Sequence, residues 1–474
     1  MAIFDDIEAL ILANCPDHKD VPAGFASIGC SPSISIAVLE DGVITSRCYS
    51  TVGNDTETLF QAASISKPVN ALAVMKLIEQ GRFTLDSTVG ALLPKVLLDI
   101  LVEGSPPSQR PIVEGITVKQ LLSHTAGLTV HGFAGYSHAD RVPSAKEILA
   151  GAHPSNSPRI RVAALPGHSH SYSGGGITLL QWILEAVTGQ DYPTLMRDLV
   201  LEPLGMTRST FGALPEGERN VASAYYTQHT KADVDHHVQP EQAAAGLWTT
   251  PTDLLKAAMG VQKSLQGAEG ALLKKETAEL MLTKVAGDMA LSWVRPNEST
   301  FHHNGSNEPG FMSQLYAYAK IDGSEEKVPE DCGFAIMLNG GTEPVFTAGW
   351  KVALAIAALK RWPLTTSASY LAAIQPFRPI DDGKMGEGWK AWKGEWAAKE
   401  QGHRYTLGES GKGKPVLFYG GVGPIALLRT AEDSRFELEG LEMNVVLEEK
   451  EGVKTISVKS GLSGDAIELK TVEA

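Results

Sequence analysis

Hydrophobic and polar positions repeat with two different periods along this chain, and the switches between them divide it into parts. Two short runs, Ile34 to Val38 and Val43 to Tyr49, favour β-branched and aromatic residues and meet at Asp41-Gly42, a pair suited to a tight turn; they predict a β-hairpin. From Val69 the spacing becomes helical. Val69, Leu72, Met75, Leu77 and Ile78 share a stripe, Pro68 suits the first turn, and Gly81 stands where a helix would stop. A second helix-like run covers Ile177 to Val187, a strand-like run Met312 to Lys320, and a closing helix Ala348 to Arg361. After Trp362 the texture changes. Thr365-Thr366-Ser367, Pro376, Pro379 and Asp381-Asp382-Gly383 read as a linker. Short alternating strands follow: Val416 to Tyr419, Ile425 to Arg429, Arg435 to Leu438, Asn444 to Glu448, Lys454 to Lys459 and Ala466 to Val472.

These elements predict an α/β (α+β) unit over residues 1–362, an antiparallel sheet flanked by helices with a helical lobe of about 95–285 inserted. A linker at 363–388 would join it to a small antiparallel β domain at 389–474, in the form of a barrel.

Three short motifs carry the candidate chemistry. Ser64-Ile65-Ser66-Lys67 stands at the entrance of the first predicted helix. A serine hydroxyl is a weak nucleophile at neutral pH and needs a base within reach. Residues three apart on a helix share a face, so Ser64 Oγ and Lys67 Nζ should converge, with the Ser64 N–H free to face a developing oxyanion. The helix dipole would help keep Lys67 neutral. An N-cap serine with a solvated lysine one turn on has the same spacing. Ser324-Glu325-Glu326-Lys327 matches it too, in a charged stretch with no apolar helix behind it.

Tyr172 lies in the glycine- and serine-rich stretch 166–176, ahead of the second helix, where a loop would present it to a cleft. Beside a lysine ammonium its phenolate would be favoured, making it a partner base. His303-Asn304-Gly305 precedes the run from Met312. His303 is expected to start an edge strand lining the cleft, Gly305 to admit a substrate close to the backbone, and the N–H of Ser306 to be the second oxyanion donor. His170, just before the Tyr172 loop, could line the pocket.

In this order the motifs resemble those of the class C β-lactamase-like serine hydrolases, with the family VIII esterase and D-aminopeptidase branches. The stretches Leu121 to Leu128, Glu202-Pro203-Leu204-Gly205-Met206 and Ala245 to Leu254 extend the resemblance over about residues 25–360. It implies a β-lactamase/transpeptidase-like fold, Ser64 as the nucleophile of an acyl-enzyme, proton transfer shared by Lys67 and Tyr172, and His303 and Gly305 on the substrate-facing strand. It also implies a lipocalin-like or barrel appendage. Two departures stand out. Gly174 replaces the Asn that usually closes the second motif, and His303 replaces the Lys of lactamases. Both point away from penicillins and toward ester, thioester or small amide substrates, with a D-aminopeptidase or amidase as the alternative and an idle binding or assembly protein as a third reading.

Composition sets the outer limits. The chain has 474 residues, 43% of them hydrophobic, and a formal net charge of -14 without a basic block, which argues against nucleic acid and anionic membranes as partners. The acidic start, Asp5-Asp6-Ile7-Glu8, reads as an amphipathic helix rather than a signal peptide, and no stretch is apolar enough to span a bilayer. Four cysteines without C-x-x-C spacing suit a reducing, cytoplasmic setting. No metal or cofactor is expected: the His168-Ser169-His170 and His236-His237 pairs lack further ligands, and Gly408 to Lys414 has Pro415 where a phosphate loop needs Ser or Thr. The expected partner is a small acyl substrate, and a homo-oligomer is left open.

Overall fold

The computed structural model describes residues 3–7, 31–105, 107–167, 170–227, 229–320 and 331–364, and, from 387 to 471, the strands and turns of the C-terminal segment. Within the first unit, strands β1 (Ser33–Glu40), β2 (Val43–Ser50), β3 (Thr300–Asn307), β4 (Phe311–Tyr318) and β5 (Cys332–Leu338) form one antiparallel sheet in the order β2-β1-β5-β4-β3. The predicted hairpin is present, its turn made by Asp41 and Gly42, both at positive φ.

Both faces of the sheet are covered, because β4 and β5 are buried at every residue. Side chains alternate between faces along a strand. Leu315, Ala317, Ala335 and Met337 join the large core shared with helices α1 (Ser66–Glu79), α2 (Gly174–Thr188) and α3 (Pro251–Leu265). Tyr316 and Phe334 face the other way, where Tyr316 meets Trp350 of α4 (Glu343–Lys360). The helical lobe is smaller than the 95–285 range expected. Pro251–Leu265 lies against the sheet, with Gln262 Nε2 donating to the carbonyls of Tyr318 and Cys332. Two closed-down starts also differ from expectation. α2 includes the three glycines before Ile177 because Ser173 Oγ caps the Gly176 N–H, and α4 begins at Glu343 with a proline in its first turn.

The second unit is a closed antiparallel barrel of eight strands, two more than the alternation predicts. Gly394–Ala398 and Arg404–Glu409 are the additional strands, and Gly394–Ala398 pairs with Ala466–Thr471 to remove both edges. Among its described residues, Trp389, Trp392, Trp396, Tyr405, Phe436 and aliphatic side chains form one buried hydrophobic cluster. The linker around 365–386 and the second S-x-x-K at 324–327 lie outside the described residues.

Candidate active site

Ser64 sits in a single 3-10 turn, Ala63–Ile65, that leads directly into α1. The turn is built by a reversal at Ala63, whose φ of +49° is rare for a residue with a Cβ. Several buried bonds hold it. Ala62 N–H donates to the Leu247 carbonyl at 2.8 Å, Ser66 Oγ donates to the Ala63 carbonyl at 2.6 Å, and Ser313 Oγ of β4 donates to the Ala62 carbonyl at 2.7 Å. Such a conformation persists only where its surroundings over-determine it.

One turn on, Lys67 Nζ lies 2.9 Å from Ser64 Oγ and donates to the Ala244 carbonyl at 2.7 Å. Its side chain is 2% exposed. Burial pushes the amine down from 10.5 to about 7, so near neutral pH a large share of it is free to accept a proton. The Tyr172 hydroxyl also bonds the Ser64 side chain, and Lys67 Nζ lies 5.1 Å from the Tyr172 ring centre. The expectation that Tyr172 is a phenolate is reversed. Burial pushes its phenol well above the ordinary value, outweighing the Ser64 bond, which favours the neutral hydroxyl.

The third motif occupies β3, the edge strand, but the strand begins at Thr300, so His303 lies inside it rather than at its start. Strand parity separates the two adjacent histidines. His302 stacks on Tyr316 at 4.4 Å, while His303 shares the face of Leu315 and approaches Tyr172, ring centres 6.1 Å apart. His303 Nδ1 is 2.6 Å from the Asn304 carbonyl and therefore carries the proton, which leaves Nε2 a bare acceptor, buried and without a partner among the described residues. Burial, then the nearby Lys67, pushes this imidazole down to about 3. It is neutral at physiological pH and cannot act as the cation that a lysine would be.

Gly305 is required by contact. A Cβ there would come within 2.3 Å of the Ala62 carbonyl oxygen and 2.9 Å of the Ser64 nitrogen. On the side of β3 away from β4, His302 exchanges both backbone bonds with Val294. By the two-residue period, the N–H of Ser306 has the same outward orientation, next to the Ser64 turn.

Gly174 opens α2, and its missing side chain leaves room for others. A Cβ would meet the His131 carbonyl oxygen and the Phe133 ring, both at 2.9 Å. His170 is exposed at the rim, 6.1 Å from His124. His124 and His131, which no motif argument singled out, pack their rings 4.3 and 4.7 Å from that of Tyr172. The pairing visible in the sequence, His236-His237, is not formed as such: His236 Nε2 lies 2.8 Å from that of His138, and His237 Nδ1 bonds the Ala134 carbonyl. Among the described residues no group of three or more His, Cys, Asp or Glu is arranged to hold a metal. A cavity of about 480 Å³ lies at the far end of α1, near Lys76, Gln80 and Lys263, and contains none of these groups.

The family described as beta-lactamase matches the chain over residues 27–358. Among curated relatives, an acyltransferase of Monascus pilosus is 25% identical over 261 residues, 50% of this chain and 60% of that one. An esterase of Burkholderia gladioli is 34% identical over 170 residues, 34% of this chain and 40% of that one. The matched stretches thus span about half the length of the curated relatives. The octameric penicillin-binding protein homologue from Pyrococcus abyssi shares the fold, with a TM-score of 0.59, 21% identity, and coverage of 98% of this chain and 99% of that one. No helix among the described residues is long and apolar enough to cross a membrane.

Proposed function

The chain belongs to the beta-lactamase family, and from that premise we propose that it is a serine hydrolase acting through a Ser64 acyl-enzyme on uncharged ester, thioester or small amide substrates. The observation that carries this reading is Lys67 Nζ at 2.9 Å from Ser64 Oγ, with burial holding the amine at about 7. Neutral Lys67 takes the Ser64 hydroxyl proton as Oγ bonds to the acyl carbon. The oxyanion then lies between the N–H groups of Ser64 and Ser306. When the tetrahedral intermediate collapses, the leaving alcohol, thiol or amine departs with a proton from Lys67 or through the Tyr172 hydroxyl. Water reverses the sequence to release the acid and regenerate Ser64.

Charge supports the substrate class. Neutral His303 offers no cation to a substrate carboxylate, and Gly174 offers no amide to an acylamino group. Relatives named as an esterase and as an acyltransferase agree with acyl chemistry of this type. One observation favours a second reading, a D-amino acid amidase: the bare, unpartnered Nε2 of His303 would accept an N–H from an amine or amide. The octameric state of the Pyrococcus abyssi homologue supports a homo-oligomer here, and four cysteines without C-x-x-C spacing support a cytoplasmic setting.

The test is intact-mass spectrometry of wild type and Ser64→Ala after exposure to activated acyl esters, D-amino acid amides and a β-lactam. An acyl adduct on wild type alone is expected with the esters. Adducts or turnover that persist in Ser64→Ala would overturn the assignment.

A further inference from the structure

Around Tyr172, one residue makes more contacts than its position in the sequence suggests. His124 bonds the chain on both sides of the tyrosine: its carbonyl accepts the Ser171 N–H at 2.8 Å, and its Nδ1 accepts the Ser173 N–H at 3.1 Å. Between those two bonds its ring stacks on the Tyr172 ring, centres 4.3 Å apart and planes 30° apart. The residue is 1% exposed and has a φ of +55°, a conformation in which an ordinary side chain is strained. Because Nδ1 accepts, the ring proton resides on Nε2, and that N–H is buried without a partner among the described residues. A backbone reversal at a residue with a Cβ and a buried donor with no partner among the described residues are both costs.

We propose that His124 is the positioning residue for Tyr172, a three-point clamp that fixes the phenol hydroxyl on Ser64. This rests on the reading of Tyr172 as a proton carrier in the reaction. The clamp explains why a tyrosine on a loop of small residues holds one orientation. Residues 171 and 173 are tied to a rigid point, and the ring cannot swing toward solvent without breaking the stack. It also explains the strain. The αL turn at His124 is what brings its carbonyl and its ring to the same three residues.

Five proteins test it: wild type, His124→Ala, His124→Asn, Tyr172→Phe and the double variant His124→Ala/Tyr172→Phe. Asparagine tolerates a positive φ and offers Oδ1 in place of Nδ1, so His124→Asn keeps the backbone bonds and removes the stack. For hydrolysis of an activated ester, His124→Ala should lose on the order of 100-fold in kcat with little change in KM, as expected for a misplaced catalytic group. His124→Asn should recover part of that loss. The double variant should be no slower than Tyr172→Phe, because a positioning residue has no effect once its client is gone. Hydrogen exchange of a peptide spanning 170–176 should lose protection in His124→Ala and keep it in Tyr172→Phe.

Losses that multiply in the double variant would overturn the proposal, as would unchanged protection in His124→Ala. A fall in melting temperature with kcat intact would do the same. An unchanged kcat in Tyr172→Phe, with protection still dependent on His124, would instead refute the proton-carrier role and leave the clamp as a structural contact only.

Discussion

Replacing Lys67 with methionine should make the protein more stable near pH 7, and the advantage should disappear as the pH rises. Burial lowers the amine from 10.5 to about 7, and at about 1.4 kcal/mol per tenfold change in proton affinity this corresponds to about 5 kcal/mol. The folded-state value is the lower one, so between about 7 and 10.5 the unfolded chain holds a proton that the folded chain lacks. Stability contributed by this site therefore rises with pH across that window, and the cost is complete only below it. At pH 7 about 4 kcal/mol of that cost remains. Methionine keeps most of the volume but leaves the Ala244 carbonyl and Ser64 Oγ without their donor, a loss of about 1–3 kcal/mol. The net expectation is a gain of about 1–3 kcal/mol for Lys67→Met at pH 7, falling to zero or reversing near pH 10. Urea unfolding of both proteins at the two pH values measures it, and the difference between them carries the test because both retain the same barrel. A variant that is equally destabilised at pH 7 and pH 10 would refute the reasoning, since the lysine would then be titrating at its ordinary value.

The same depressed amine should appear in the kinetics: kcat/KM should rise with pH through an apparent value of about 7, and Lys67→Arg should abolish both the limb and the activity. Gly305→Ala places a methyl 2.3 Å from the Ala62 carbonyl oxygen, so β3 must move off the Ser64 turn; a loss on the order of 100-fold in kcat/KM is expected in an ester assay. Ala63→Gly relieves the φ of +49° and should raise stability by about 1 kcal/mol in urea unfolding while lowering kcat through a looser turn. Gly174→Asn, which restores the family's usual residue, meets Phe133 and the His131 carbonyl at 2.9 Å and should cost about 1–3 kcal/mol of stability, recovered in part by Phe133→Ala.

What the sequence disclosed and what it concealed follow from the range of the interactions involved. The hairpin at 33–50, the helix from Ser66 and the Ser64–Lys67 pair depend on residues within one or two turns of each other, and a one-dimensional pattern contains them. His124 depends on a partner 49 residues away, and although histidine is among the residues that enter the left-handed region more readily, residue type alone does not mark the position as left-handed. The protonation state of Tyr172 is hidden for a related reason. Proximity to Lys67 was legible, but burial, which sets the sign of the outcome, was not. Of the first two barrel strands, Gly394–Ala398 has only Trp396 and alanines as apolar residues and depends on pairing with Ala466–Thr471, while Arg404–Glu409 is a short alternation of Tyr405 and Leu407 with polar neighbours.

Several features that oppose folding meet at one place. A positive φ at Ala63 and another at His124, a buried amine kept near half-charge, and unpaired imidazole nitrogens on His124 and His303 all lie around Ser64 and Tyr172. Each is a local conflict that a sequence shaped for stability alone would remove. The core that surrounds them, shared by α1, α2, α3 and the inner face of the sheet, is large enough to tolerate them. This arrangement separates two classes of substitution. Lys67→Met and Ala63→Gly remove a conflict, so they should stabilise the protein and disable it together. Gly305→Ala adds a clash, so it should damage both properties. A serine site used for chemistry requires the first class to exist. If neither Lys67→Met nor Ala63→Gly stabilised the protein, the strain around Ser64 would be ordinary loop geometry, and the case for a working nucleophile would rest on the Ser64–Lys67 distance alone.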